Sequence, residues 1–264
     1  CKIFGIKVYF WGSGSGEDTS IRGHDLGRLI SIKLLIKKWF YGFFDGIVVY
    51  SKKHHERLKS QNVKLPIRVA QNTCDIDPFF KIPIEAVNNR NFLFVGALES
   101  VKRLDTLIKA LSRVNSSDWN FNIIGAGSQK KYLQDLTQEL NLDDKIRFHG
   151  ALYDEDTMDF WHSASYVVLP GVGGLLINEA MAAGKYVLAT SGDGTGEDLL
   201  LTEDLLSHDV NESDLAVYID QLFNLPNSEY INKCLRNRKY ASENLRIEKM
   251  KNEILNFLMP NKYE

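Results

Sequence analysis

The stretch Ala164–Thr190, ASYVVLPGVGGLLINEAMAAGKYVLAT, decides the architecture. Tyr166–Leu169 is a short apolar run stopped by Pro170, and it reads as a buried strand. Gly171, Gly173 and Gly174 thin the chain into a turn, and a helix then runs to Gly184. A second apolar run, Tyr186–Ala189, follows at once. Strand, turn, helix and strand in this order call for a parallel sheet covered on both faces. The turn's free N–H groups and the positive end of the helix then meet at the carboxyl edge of the sheet, a place suited to a phosphate. Glu179 lies about one and a half turns into that helix, where it is either simply exposed or in reach of a ligand hydroxyl.

The same alternation extends in both directions. Strands are expected at Ile3–Phe10, Ile47–Tyr50, Arg68–Ala70, Phe92–Val95, Phe121–Ile124 and Ile146–Phe148. Helical spacing fills most intervals. In Ser128–Leu140, Ser128 is the expected N-cap and Tyr132, Leu133, Leu136 and Leu140 form the apolar stripe. The fold class is therefore α/β. A boundary is expected between Asn72 and Arg90, a stretch with two prolines and broken periodicity. A last helix is expected over roughly 242–258.

Composition excludes several classes. The chain has 264 residues, 44% hydrophobic and 25% charged, which argues against a disordered, collagenous or multi-span membrane protein. The three cysteines, Cys1, Cys74 and Cys234, have neither zinc-site spacing nor a disulfide pattern, and they favour a reducing compartment. Charge divides unevenly. Residues 1–70 hold 13 Lys and Arg against 5 acids, a net +8, whereas the remainder holds 19 against 29, a net −10. Two parts of opposite sign suggest different partners.

Several motifs carry less than they promise. Gly12-Ser-Gly14-Ser-Gly16 and Gly125-Ala-Gly127 each follow a strand, yet Glu17 and Lys130 occupy the position where a dinucleotide fingerprint needs its third glycine. Gly125 and Gly127 therefore mark either a tight strand-to-helix turn or a close backbone approach to a ligand. Asp75-Ile-Asp77 and Asp154-Glu-Asp156 are paired carboxylates of the kind that hold a divalent cation. Their structural reading is the stronger one, with the second triplet starting a helix. His54-His55-Glu56 lacks zinc-protease spacing and is expected on a solvated helix face after Ser51.

Three blocks taken together resemble one family. FLFVGALESVKRLDTLIKAL (92–111), FNIIGAGSQKKYLQDLTQELNLDDKIRFHG (121–150) and the opening stretch are similar, in order and spacing, to the donor-binding domain of glycosyltransferase family 4. Weaker similarity continues through Val69–Thr73 and back into FDGIVVYSKKHHERL (44–58). The resemblance implies a GT-B type fold, with a complete C-terminal Rossmann-like parallel-sheet domain and a partial N-terminal Rossmann-like domain. The expected divisions are 1–75 on the acceptor side, 76–241 for the donor, and a helix over 242–264 that crosses back to the N-terminal part. On this resemblance the chain is a C-terminal portion of a longer protein.

The resemblance also implies roles. A nucleotide-sugar donor would lie along Gly96, Lys102, Gly125, Gly127, Leu152, Gly171, Gly173, Gly174, Leu175 and Glu179. Lys102 would bind the diphosphate, and Ala97 stands where an arginine is usual. Gly173, Gly174 and Leu175 would offer backbone N–H groups to the diphosphate, Glu179 would bind the ribose, and Leu152 would lie near the nucleobase. The first member of the family's glutamate pair falls at Gly171 and is absent. Transfer would proceed with retention, without a metal or other cofactor, because Lys102 and a helix N-terminus can stabilise the leaving diphosphate. Catalytic roles fall to Lys102, Glu179 and a histidine on the loop Trp11–Gly27, where Ser13 holds the nearest position and His24 is the alternative. The other readings are a GT-B epimerase and a non-catalytic nucleotide-sugar-binding protein.

Leu26–Phe44 is apolar in 12 of 19 positions, with Arg28, Lys33, Lys37 and Lys38 interspersed. It is either an interfacial membrane helix or a helix packed on the sheet with lysines at its rim. Weak peripheral binding to an anionic membrane fits both. The expected partners are a nucleotide-sugar donor and a glycan or lipid-linked acceptor. No nucleic-acid motif is present. The expected location is the cytoplasm, with membrane association at its inner face.

Overall fold

β-branched and aromatic runs bounded by glycine and turn residues build nine strands among the described residues, and every pairing between them is parallel. The structure is a computed structural model and describes residues 6–12, 36, 39–87, 89–191, 195–200 and 202–260. The chain forms two units, residues 1–72 with 247–264, and residues 73–246.

The first unit holds a three-stranded sheet in the order β1 (Tyr9–Gly12), β2 (Gly46–Val49), β3 (Ile67–Val69). Helix α1 (Lys52–Ser60) links β2 to β3, and Ser51 caps it by accepting the His54 N–H at 3.1 Å. The helix follows Ser51, as expected. His54, however, is buried rather than solvated, because the helix turns it together with Leu58 toward the sheet. Ile47, Val49, Leu58 and Tyr41 form the core of the unit. The first strand occupies Tyr9–Gly12 rather than Ile3–Phe10, of which Ile3–Gly5 lie outside the described residues. Most of the apolar–basic stretch 26–44 also lies outside them. Trp39 and Phe43, within its described end, are 69% and 53% exposed.

The second unit has a six-stranded sheet: β4 (Asn91–Val95), β5 (Asn120–Ile124), β6 (Ile146–Gly150), β7 (Tyr166–Leu169), β8 (Tyr186–Thr190) and β9 (Leu205–Leu206). Their spatial order is β6-β5-β4-β7-β8-β9. The chain builds outward from β4 to β6, then returns to place β7 on the other side of β4. Such a reversal opens a crevice beyond the carboxyl ends of β4 and β7, where doubly wound sheets take their ligands. Helices α2 (Leu104–Leu111), α3 (Lys130–Glu139), α4 (Met158–Ser163), α5 (Leu176–Ala182), α6 (Thr195–Leu199), α7 (Glu212–Phe223) and α8 (Asn227–Asn244) connect and follow the strands. The core runs through Phe92, Phe94, Phe121, Trp161, Tyr166 and Val187, all nearly solvent-free.

Two expectations about helices are corrected. Ser128 does not cap α3, whose N-cap is Gln129. Instead Ser128 gives its N–H to Glu99 Oε1 at 3.1 Å and its hydroxyl to Oε2 at 2.6 Å, tying the β5 loop to the β4 loop. The last helix is not continuous from 242. Helix α8 stops at Asn244, and α9 (Ile247–Leu258) restarts after a break at Leu245 and Arg246. At the break the Leu245 carbonyl accepts the Thr73 hydroxyl and Arg246 pairs with Asp77 at 3.0 Å. Tertiary partners thus replace the helical continuation. Helix α9 belongs to the first unit, where Phe257 meets Tyr9 edge-on at 5.4 Å and Glu253 pairs with Arg68 at 3.3 Å. Among the described residues no helix is long and apolar enough to cross a membrane.

Lys185, between α5 and β8, is only 4% exposed. Its ammonium donates to the His162 carbonyl at 3.4 Å, and among the described residues no carboxylate pairs with it. Burial pulls the lysine down to about 8. With a folded value below its ordinary one, the ammonium form disfavours folding below pH 8, and stability rises as pH increases from about 8 toward the ordinary lysine range. Lys185→Met is expected to stabilise the protein by about 1–3 kcal/mol at neutral pH, with the gain vanishing at high pH. Denaturant unfolding of both proteins at several pH values checks this.

Candidate functional site: the carboxyl edge of the second sheet

Two loops meet at the switch point. The first follows β4 and ends in a short 3-10 turn, Ser100–Lys102. The second is Pro170–Leu175, between β7 and α5. Arg103 fastens them together. It adopts a left-handed backbone (φ 51°), and its guanidinium donates to the carbonyls of Pro170 at 3.1 Å, His208 at 2.8 Å and Val210 at 2.6 Å. Val172 N–H donates to the Val101 carbonyl at 2.9 Å, and the Thr190 hydroxyl donates to the Gly171 carbonyl at 3.0 Å.

Gly171 is pressed against this seam. A Cβ there would stand 2.2 Å from the Val101 carbonyl oxygen and 2.6 Å from the Lys102 carbonyl carbon, both backbone atoms. The position expected for the first glutamate of a pair thus has no room for any side chain in this arrangement. Gly125 plays a similar part between β4 and β5, because a Cβ on it would meet the Gly96 carbonyl oxygen at 1.9 Å. Gly96 itself donates its N–H to Ile124 at 3.0 Å, and Gly127 abuts the Leu98 backbone. These glycines let the loops above β4 and β5 touch.

Lys102 reaches over the second loop. Its ammonium donates to the Val172 carbonyl at 2.7 Å, and a Cβ on Gly174 would lie 3.6 Å from its Nζ. Gly173 is buried, Gly174 half-buried and Leu175 exposed at the start of α5. Glu179 follows on α5, half-buried, and burial pushes its carboxyl up to about 7. Cys74 Sγ lies 3.8 Å from Glu179 Oε1 and opposes that rise. Leu152, just past the positive-φ Gly150 at the end of β6, packs half-buried on the core. A cavity of about 400 Å³ opens beside the seam, lined among others by Ser100, Val101, Gly171, Thr190 and His208.

The structure therefore brings Lys102, from the loop after β4, against the turn that follows β7, where Gly171, Gly173 and Gly174 lie ahead of Leu175 and Glu179 on the next helix. Gly96, Gly125 and Gly127 stand along the neighbouring strand ends, and Leu152 follows β6 at the sheet's outer edge. His24 and Ser13 lie outside the described residues. Asp75 Oδ1 accepts the Asp77 N–H at 3.1 Å, Asp77 pairs with Arg246, and Asp154–Thr157 forms the turn that starts α4. Among the described residues no group of three or more His, Cys, Asp or Glu is placed to hold a metal ion. Arg103 and Cys74 were not singled out as site residues by sequence reasoning. An arginine beside Lys102 was visible, but its carbonyl partners are 67 to 107 residues away in the chain.

A parallel sheet with a switch point and glycine loops at its carboxyl edge defines an α/β protein of the GT-B type. A model of the family described as glycosyl transferases group 1 matches residues 75–244, more than half of the chain, and the chain belongs to that family. It is 31% identical over 128 residues (47% of the chain, 31% of the relative) to an uncharacterized glycosyltransferase of Methanocaldococcus jannaschii. It is also 31% identical over 116 residues (39% of the chain, 25% of the relative) to D-inositol 3-phosphate glycosyltransferase of Streptomyces avermitilis. Its fold is similar to that of Anabaena HepE in complex with UDP, with a TM-score of 0.77 at 16% identity, covering 98% of this chain and 74% of that one. The matches to the two curated relatives thus span a third of their length or less.

Proposed function

We propose that the chain takes a nucleoside diphosphate sugar, UDP- or GDP-linked, as donor in a sugar transfer to a glycan or lipid-linked acceptor. The observation that carries this reading is the juxtaposition of Lys102 with the Val172–Gly174 turn, one helix start away from Glu179. Glycosyl transfer breaks the bond between the anomeric carbon and the diphosphate oxygen, leaving negative charge on the diphosphate. The Lys102 ammonium and the N–H groups of Gly173, Gly174 and Leu175 are the groups that meet this charge, so no metal is assigned to the step. Glu179 accepts from the ribose hydroxyls, and Leu152 sits toward the base. Transfer proceeds with retention and without a protein nucleophile, with His24 as a further participant. Cell-surface polysaccharide assembly at the cytoplasmic face fits the basic first 70 residues and the exposed Trp39 and Phe43, which suit weak contact with an anionic membrane.

Calorimetry with UDP and GDP, followed by donor turnover, tests this. Glu179→Ala is expected to weaken nucleotide binding by about 10- to 100-fold, the size of a hydrogen bond to a charged group. Because burial pushes the carboxyl up to about 7, wild-type affinity is expected to fall as pH drops below that value, whereas Glu179→Gln is expected to be flat with pH. Unchanged affinity in Glu179→Ala removes the ribose role. A binding-only protein is the second reading, favoured by Gly171, where no glutamate fits. It prevails if the nucleotide binds and no donor is turned over.

A further inference from the structure

Cys74 lies two residues past the point where the chain leaves the first unit. The residues around it are held on both sides. Thr73 gives its hydroxyl to the Leu245 carbonyl, and Asp77 pairs with Arg246 at 3.0 Å. The Arg246 guanidinium also lies 4.8 Å from the centre of the Phe80 ring. Residues 73–80 are therefore tied to 245–246, just before the chain returns to the first unit. From this segment Cys74 Sγ reaches to 3.8 Å from Glu179 Oε1, across 105 residues of sequence.

We infer that Cys74 is a positioning residue for Glu179, its thiol donating a hydrogen bond that keeps the carboxylate ionised and aimed at the nucleotide. The nucleotide half of this rests on the ribose role proposed above. Among the described residues no Lys or Arg forms an ion pair with Glu179, so the thiol is the polar group that opposes the effect of burial on it. Burial, and then the charge of Glu179, push the thiol up to about 12, with Asp75 adding in the same direction. The group therefore remains S–H throughout the neutral range. A thiol is a permanent donor, whereas a thiolate would repel the carboxylate. Cys234 is fully buried in the core and does not substitute for it.

The test compares the whole chain with its Cys74→Val and Cys74→Ser variants. Valine keeps the volume without the donor, and serine keeps a donor. Two quantities are read: the titration of the Glu179 carboxyl by carbon-13 NMR without ligand, and the affinity for UDP and GDP across the neutral pH range. Cys74→Val is expected to move the Glu179 midpoint upward and to weaken nucleotide binding at neutral pH by about 3- to 10-fold, a weak hydrogen bond's worth. Cys74→Ser is expected to restore both. A wild-type midpoint in Cys74→Val overturns the inference, and so does serine behaving like valine, which would make the contact one of volume. If the wild-type chain binds neither nucleotide, the ribose reading falls, while the carboxyl titration still decides whether Cys74 governs Glu179.

Discussion

Lys102→Ala is expected to lower kcat for donor turnover by about 100- to 1,000-fold, the effect of deleting one preorganised partner of a developing anion. The Lys102 ammonium is held 2.7 Å from the Val172 carbonyl at the very turn whose N–H groups would face the diphosphate. A cation fixed in advance stabilises the leaving group more than the ground-state donor, because charge grows as the sugar–oxygen bond breaks. The loss is therefore expected mainly in kcat, with a smaller change in KM. The alternative is that Lys102 only staples the turn, since it also contacts the loop backbone. Stability separates the two. The contact is exposed to solvent, so its removal is expected to cost only about 0.5–1.5 kcal/mol, while turnover collapses. Lys102→Arg keeps the charge but spreads it over a planar fork, and is expected to restore part of the rate. A fall in kcat of less than about 5-fold in Lys102→Ala, against the range given above, would remove the lysine from the chemistry.

What was legible in the sequence was what is local. Tyr166–Leu169 and Tyr186–Ala189 announce themselves as buried strands because all their neighbours in sequence agree, and both appear where expected. The α/β alternation and the similarity of three blocks to one family led to the right fold. Contacts between distant residues were not legible. Ser128 has every local qualification of an N-cap, yet Glu99, 29 residues earlier, takes its N–H and hydroxyl. The break at Leu245 depends on Thr73, 172 residues away, so helical spacing ran through it. His54 read as solvated because two adjacent histidines look polar, whereas the helix face that carries Leu58 also carries His54 inward. Cys74 could be counted, but its approach to Glu179 could not be foreseen. At Gly171 the missing acid was plain, and its cause was not, because Val101 lies 70 positions earlier.

That cause leads to the other large effect. Gly171→Ala is expected to destabilise the second unit by about 1–3 kcal/mol, the usual cost of forcing atoms into filled space. The added Cβ would stand 2.2 Å from the Val101 carbonyl oxygen and 2.6 Å from the Lys102 carbonyl carbon. Neither is the end of a flexible side chain, so the two loops must part. Parting them loosens the Val172-to-Val101 hydrogen bond at 2.9 Å and moves Lys102 away from the turn. Gly173→Ala provides the contrast. There the nearest atom is Ile177 Cδ1 at 2.6 Å, which can rotate away, so a much smaller loss of stability is expected. Gly171→Glu puts at this place the acid that the resemblance implies, and is nevertheless expected to lose nucleotide affinity and stability together, because the side chain enters through the same blocked Cβ. Thermal unfolding and UDP or GDP calorimetry on the three variants decide the matter. If Gly171→Glu is as stable as the wild type and turns over a donor faster, the seam between the β4 and β7 loops is not what keeps a glycine at this position. The protein would then be an enzyme whose loop opens to admit the acid, and the binding-only reading would lose the observation that favours it.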